Sequence, residues 1–170
     1  MRSAIALALL VVVGAACHPK VSWSPESRTL CRGSLCYRVG ELDPSWRLVH
    51  KEGASIGFYS GESGGVIEAN ATCRDDADAA PLESLTHQLL IGYTERRVLD
   101  AQHVPLDKRD ALRTRVSAKL DGVPVELVLY VLKRNGCVFD LSYAAPTRDF
   151  SAGEQAFEKF VAGFADERRS

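Results

Sequence analysis

Two dipeptides decide what the C-terminal half of this chain can become. Asp121-Gly122 and Asn135-Gly136 each interrupt a β-rich run. A two-residue type I′ hairpin turn needs positive φ at both central residues, and Asp-Gly and Asn-Gly supply it at little steric cost. The flanking runs, Ala111 to Leu120, Val123 to Lys133 and Cys137 to Ala145, therefore read as three consecutive antiparallel strands. In the middle one, Val125, Leu127, Leu129 and Val131 alternate with Val128, Tyr130 and Leu132. Both of its faces are apolar, so both need cover, from helices or from loops.

Two segments can supply that cover. Pro81 to Glu95 has helical spacing, with Leu82, Leu85, Leu89, Leu90 and Tyr93 on one face. Pro81 suits a first helical turn and Glu83 complements the dipole there. Phe150 to Ala165 repeats the pattern with Ala156, Phe157, Phe160, Val161 and Phe164, and Asp149 or Ser151 is placed to cap it. Before the first helix, Leu35 to Val39, Trp46 to His50 and Ala54 to Tyr59 read as strands. So does Val66 to Cys73, where Ile67, Ala69, Ala71 and Cys73 form the apolar side and Val66, Glu68, Asn70 and Thr72 the other. Arg96 to Pro105 is a further strand. The fold class that follows is α+β, an antiparallel sheet packed by helices, in the order βββ-α-ββββ-α.

The N-terminus is of a different kind. Arg2 precedes an apolar run from Ile5 to Val13, and Gly14, Ala15 and Ala16 lead into Cys17. This is the layout of a secretory signal peptide. The run is too short to span a bilayer comfortably, which takes about 20 residues. Val13-Gly14-Ala15-Ala16-Cys17 resembles the lipobox of bacterial lipoproteins, although the position three before the cysteine, usually Leu in that family, is Gly14. The resemblance implies cleavage after residue 16, diacylglycerol on the Cys17 thiol and a further acyl chain on the new amine. Such chains contribute about 0.8 kcal/mol per buried CH₂ and anchor durably. His18, rather than Asp, follows the lipidated position, which by the enteric sorting rule implies the outer membrane, facing the periplasm. Residues 17–30 carry Pro19, Ser22, Ser24, Pro25 and Ser27 without periodicity and read as a lipidated cysteine with a flexible tether. One domain over residues 31–165 and a charged tail over residues 166–170 complete the organisation.

Five cysteines are present, and with Cys17 lipidated four remain: Cys31, Cys36, Cys73 and Cys137. An even number in an oxidising compartment points to disulfides, in one of three connectivities. We favour Cys31–Cys36, closing a short loop around Gly33, and Cys73–Cys137, tying two core strands; the alternative is that one pair stays reduced and packs as small apolar side chains.

Removing residues 1–16 removes one of the 21 basic residues, Arg2, which leaves 20 against 22 acidic and a net charge of −2. That balance suggests neither nucleic acid nor an anionic membrane surface as partner.

Catalytic and metal patterns are sparse. His18, His50, His87 and His103 share no ligand or catalytic spacing, and Cys31-x₄-Cys36 has no neighbouring histidine. Asp75, Asp76 and Asp78 lack calcium-loop spacing and a distal Glu. Ser142 and Ser151 lie in no nucleophile motif. The stretch Gly61 to Gly65 lacks a following Lys and leads into a strand, so it reads as a hairpin turn. No catalytic residue, metal or cofactor is therefore expected. Arg113, Arg115 and Lys119 can share one strand face, and this basic stripe is the candidate for an acidic partner.

The run "LDGVPVELVLYVLKRNGCVFDLSYAAP" followed by an aromatic-rich helix resembles the PsbP-like fold, over roughly residues 46 to 165. Asp121-Gly122, the strand Val123 to Leu132, Asn135-Gly136 and Phe157, Phe160 and Phe164 carry the likeness. It implies an α/β/α sandwich and a non-enzymatic binding or assembly role, with an envelope protein as partner. The alternative expectation is a small-ligand-binding lipoprotein with a pocket between sheet and helix.

Overall fold

The structure, a computed structural model, describes residues 20–74 and 79–167. The signal segment, Cys17, His18 and the aspartates Asp75, Asp76 and Asp78 lie outside the described residues. Among those described, seven strands form one antiparallel sheet: β4 (Trp46–Glu52), β5 (Ser55–Ser60), β6 (Gly65–Cys73), β7 (Thr94–Leu106), β8 (Arg109–Leu120), β9 (Val123–Arg134) and β10 (Cys137–Pro146). Their spatial order is β4-β5-β6-β10-β9-β8-β7. A smaller sheet carries β1 (Val21–Ser24), β2 (Thr29–Arg32), β3 (Leu35–Arg38) and β11 (Ala165–Asp166), in the order β1-β2-β3-β11. Helices α1 (Leu82–Leu89) and α2 (Phe150–Ala162) lie on opposite faces of the large sheet.

The expected turns explain the meander. Asp121 and Gly122 have φ of 49° and 81°, and Asn135 and Gly136 have 51° and 73°. Asp107 and Lys108 make a third two-residue turn, at φ 47° and 61°, between β7 and β8. It carries no glycine, which is why the sequence offered no signal for it. Strand β9 is buried on both faces. Val128, Tyr130 and Leu132 join the core under α2, while Val125, Leu127, Leu129 and Val131 face α1 and its following turn.

The α2 face is aromatic. Phe157 sits 5.8 Å from the Tyr130 ring and 5.9 Å from Tyr143, between centroids. Close approach there depends on Gly153, where an added Cβ would fall 2.4 Å from the Tyr143 hydroxyl. The small sheet closes the same core: the Tyr37 hydroxyl reaches the carbonyls of Ala54 and Ala69, both at 2.9 Å, linking β3 to the large sheet.

Several expectations are corrected. Residues 21–30 are not a tether. Val21 and Trp23, two apart, pack against the core, with Trp23 edge-on to Phe58 at 5.9 Å, and Leu30 is buried. Packing a half-buried indole against the core outweighs the serine and proline signals around it. Six strands therefore precede α1: β1 and β2 join the four read individually from the sequence, where the order βββ-α-ββββ-α had room for three. The tail expectation fails at Asp166, which pairs with Tyr37 in β11. Helix α1 ends at Leu89 because Gly92, at φ 95°, turns the chain into β7. Asp149 is the N-cap residue of α2, but no side-chain cap forms; its carboxylate accepts from Arg148 Nε at 2.9 Å. Cys31 bonds Cys36 across β2 and β3, and Cys73 bonds Cys137 across β6 and β10. Cys137 is buried, but Cys73, expected to point inward, is exposed at the strand end.

The large sheet's outer strands are blunted against pairing. The long β7 is mostly exposed, carries bulges between Thr94 and Arg97 and between Val98 and Asp100, and displays charged side chains.

Candidate functional site

The basic stripe lies on β8 beneath α2. Arg115 donates from Nη1 to Glu154 Oε1 at 2.9 Å and from Nη2 to Glu126 Oε2 at 2.9 Å, and its guanidinium stacks over Phe150 at 4.7 Å. Arg113 donates from Nε to the Tyr130 hydroxyl at 3.0 Å and from Nη2 to Glu158 Oε1 at 3.3 Å, and pairs with Asp100. The Tyr130 hydroxyl donates to Glu158 at 2.8 Å. Burial first, then that hydrogen bond, pushes the phenol up to about 12. Lys119 pairs with Glu95 at 2.8 Å. The acidic partner of Arg113 and Arg115 is thus the second helix of the same chain. Their place as a free docking surface is withdrawn, because their charges and hydrogen-bond donors are engaged in holding α2 to the sheet.

The opposite face offers a different site. Helix α1 covers β8 and β9 but leaves β5, β6 and part of β10 open, and a recess of about 430 Å³ lies there. Its polar wall comes from paired strands: Asp140 stands opposite Asn70, Ser142 opposite Glu68, and Ser55 opposite Asn70. Leu127, Leu129 and Ala144 make an apolar side, Leu89 and Tyr93 come from α1 and the turn after it, and His50 reaches in from β4. A second recess of about 190 Å³ runs on between the sheet and α1, sharing Asn70, Leu89 and Asp140 and adding Leu85 and Gln88.

Two carboxylates share this site. Glu68 accepts from Ser55 Oγ, and Asp140 accepts from Asn70 Nδ2 at 3.3 Å. Burial pushes the Asp140 carboxyl from 3.8 up to about 7, against the Asn70 hydrogen bond and with help from the Glu68 charge. Burial and Glu68 also push the Tyr93 phenol up. Near neutrality, then, Asp140 is in part a protonated donor. The recess combines acceptors, a titrating donor and an apolar side, which suits a ligand carrying hydroxyl or amino groups.

Sequence reasoning missed Glu68, Asn70 and Asp140 as a group. The polar alternation of β6 was visible, and Ser142 was weighed only as a nucleophile. What brings the four together is the β6–β10 register, between strands that α1 and the β7–β9 meander separate in sequence.

The sequence matches no family model and no curated protein. Solved structures match by shape. The PsbP protein of the cyanobacterium Synechocystis shares 12% identity at a TM-score of 0.55, over 94% of this chain and 98% of its own. LpqN of Mycobacterium tuberculosis, described as involved in cell envelope biogenesis, shares 13% at 0.57, over 76% of this chain and 83% of its own. A Pseudomonas aeruginosa protein of unknown function shares 12% at 0.55, over 69% of this chain and 94% of its own. The fold is α+β and PsbP-like. At these identities the likeness defines the architecture alone.

Proposed function

We propose that this is a lipid-anchored protein of the bacterial cell envelope that acts by binding, as a non-enzymatic binding or assembly factor, with Cys17 as the lipidated residue. The lipobox-like segment supports the anchor and a periplasm-facing position on the outer membrane. A shape neighbour involved in cell envelope biogenesis is compatible with that setting. The observation that carries the binding reading is the recess beside α1, where Glu68, Asn70 and Asp140 line a cavity of about 430 Å³. An envelope protein presenting a basic or amide side chain fits that chemistry. The test is crosslinking in intact cells followed by pulldown, comparing the native protein with Cys17→Ala and Asp140→Leu. A specific envelope protein recovered by the native form and lost with either variant supports the reading. Equal recovery by all three rejects the recess as the contact.

A second reading is a small-ligand-binding lipoprotein. The volume of the recess favours it, since ligand pockets run from about 300 to 1,000 Å³. Here a polyhydroxyl or amine ligand should raise thermal stability, by about 2.7 kcal/mol at a hundredfold excess over Kd. No shift with amino sugars, polyamines or an envelope extract would exclude these ligand classes.

A further inference from the structure

We infer that the recess beside α1 takes a primary alkylammonium group, its three N–H donors on Glu68, Ser142 and Asp140 and its aliphatic stem along Leu127, Leu129 and Ala144. The inference rests on the binding reading of the recess and names its ligand class.

Strand registers lay out the floor. Residues paired across adjacent strands share a face of the sheet. One row on the α1 face therefore runs Leu112, Val131, Asp140, Asn70, Ser55 and Glu52, from β8 to β4. The next runs Thr114, Leu129, Ser142, Glu68, Gly57 and His50. Helix α1 and its following turn pack over the β8 and β9 ends of these rows, through Leu82, Leu85 and Leu90. From β10 outward the rows turn polar, and that half is the recess. Ser142 stands directly opposite Glu68, and Asp140 is its neighbour on the same face of β10. Directly opposite Cβ atoms lie about 5 Å apart and diagonal ones about 7–8 Å, so the three side chains can converge on one atom between them. Gly57 leaves the backbone bare on the other side of Glu68. No positive φ requires a glycine there, and an added Cβ would stand 3.3 Å from the His50 Cβ. A glycine inside a strand lets a ligand approach closely.

Charge selects the ligand class. On the α2 face, Glu126, Glu154 and Glu158 each accept from Arg113 or Arg115. On the α1 face, among the described residues, the donors to Glu68 and Asp140 are neutral, Ser55 Oγ and Asn70 Nδ2. No lysine or arginine among the described residues lines the larger recess. A desolvated carboxylate with neutral donors keeps its charge uncancelled, and a cation offsets that charge where a hydroxyl does not. An ammonium has three donors and no acceptor, which matches three acceptors; a guanidinium brings five in a rigid fork. The apolar side suits a methylene stem, as in any long cationic side chain that buries its carbons and keeps its head among polar groups.

The same arrangement makes binding depend on pH. Asp140 faces Glu68 from β6, and Tyr93 and His50 across the recess, while α1 presents Leu85, Gln88 and Leu89. Arg74 lies past the end of β6 and Glu52 at the end of the Asp140 row. Burial raises the Asp140 carboxyl to about 7. An ammonium beside it favours the ionised form, so affinity rises as pH climbs through that value, while an alkylamine stays protonated up to about 10.4.

The test is an NMR titration of the full mature protein in nonionic detergent, read at the backbone amides of Gly57, Glu68 and Ser142. Cadaverine should shift them saturably at about pH 8, with a Kd of about 1 mM or tighter. At about pH 6 it should bind about ten-fold more weakly, as Asp140 takes up its proton. Glu68→Gln and Asp140→Asn should each weaken binding at about pH 8 by about ten-fold. Asp140→Asn should also lose most of the pH difference, and His50, common to both proteins, cancels in that comparison. The diol of the same chain length should give no saturable shift. Nα-acetyl-lysine N-methylamide separates the two sources of the group. Affinity equal to that of cadaverine assigns it to a lysine side chain of an envelope protein, and about ten-fold weaker binding assigns it to a free polyamine. No saturable shift with either amine, or equal binding of diol and diamine, overturns the ammonium. The recess as a contact is judged separately, by the cellular crosslink of Asp140→Leu, so the two readings fail independently.

Discussion

Asp140→Asn isolates the electrostatics of the recess. The wild-type carboxyl is raised from 3.8 to about 7, chiefly by burial. A carboxyl whose pKa is raised on folding holds its proton more tightly in the native state. Its burial costs nothing while it is protonated in both states, and the cost grows as pH rises above the unfolded value and is complete above the folded one. At 1.36 kcal/mol per unit, the full shift corresponds to about 4 kcal/mol. The residue keeps partial exposure, so solvent screening reduces the expectation to about 2 kcal/mol. Asn is the apt replacement, because its amide oxygen can still accept from Asn70 Nδ2, at 3.3 Å in the wild type. Urea unfolding of both proteins at about pH 4 and about pH 8 measures the difference, and groups common to both cancel. The variant should gain about 2 kcal/mol on the wild type between the two conditions, with the wild type losing stability as pH rises. A difference independent of pH would refute the reasoning, since Asp140 would then titrate alike in the folded and unfolded chain.

Three further outcomes follow from the same contacts. A double-mutant cycle on Arg115→Ala and Glu154→Ala, a pair 2.9 Å apart, should show a coupling of about 1 kcal/mol in chemical unfolding; additive effects would mean the pair does not hold α2. Cys73→Ala/Cys137→Ala, which opens a bridge across 64 residues of sequence, should lower unfolding free energy by about 2–4 kcal/mol. His103 is raised above 6.5 by the Asp110 hydrogen bond first, with Glu83 adding to it. Its contribution is present below 6.5 and lost as pH rises through the raised value, so His103→Gln should lower the melting temperature at about pH 5.5 and leave it unchanged at about pH 8.

The helices and the meander were legible in the sequence because their signals are local. Asp121-Gly122 and Asn135-Gly136 demand positive φ within two residues, and the Leu and Phe stripes of α1 and α2 repeat within single elements. The apolar character of both faces of β9 is likewise carried by one strand, and it implied the two-sided cover that α1 and α2 supply. Where a local signal was weak, the reading failed. Val21-Ser22-Trp23-Ser24 holds two apolar side chains among serines, and only its partners Leu30 and Phe58 make it a strand.

The site and the surface charge needed distant residues to meet. Arg113, Arg115 and Lys119 were correctly placed on one strand, but Glu154 and Glu158, which engage the two arginines, lie on a helix some 40 residues further on. Glu68 and Asp140 are unremarkable carboxylates until the β6–β10 register sets them around one recess, where the loss of water raises Asp140 to about 7. The sequence by itself determined composition, period and turn, and through them the elements. Tertiary structure alone decided which charges are neutralised and where the recess lies, because desolvation and Coulomb energy depend on distance in space and not on distance along the chain.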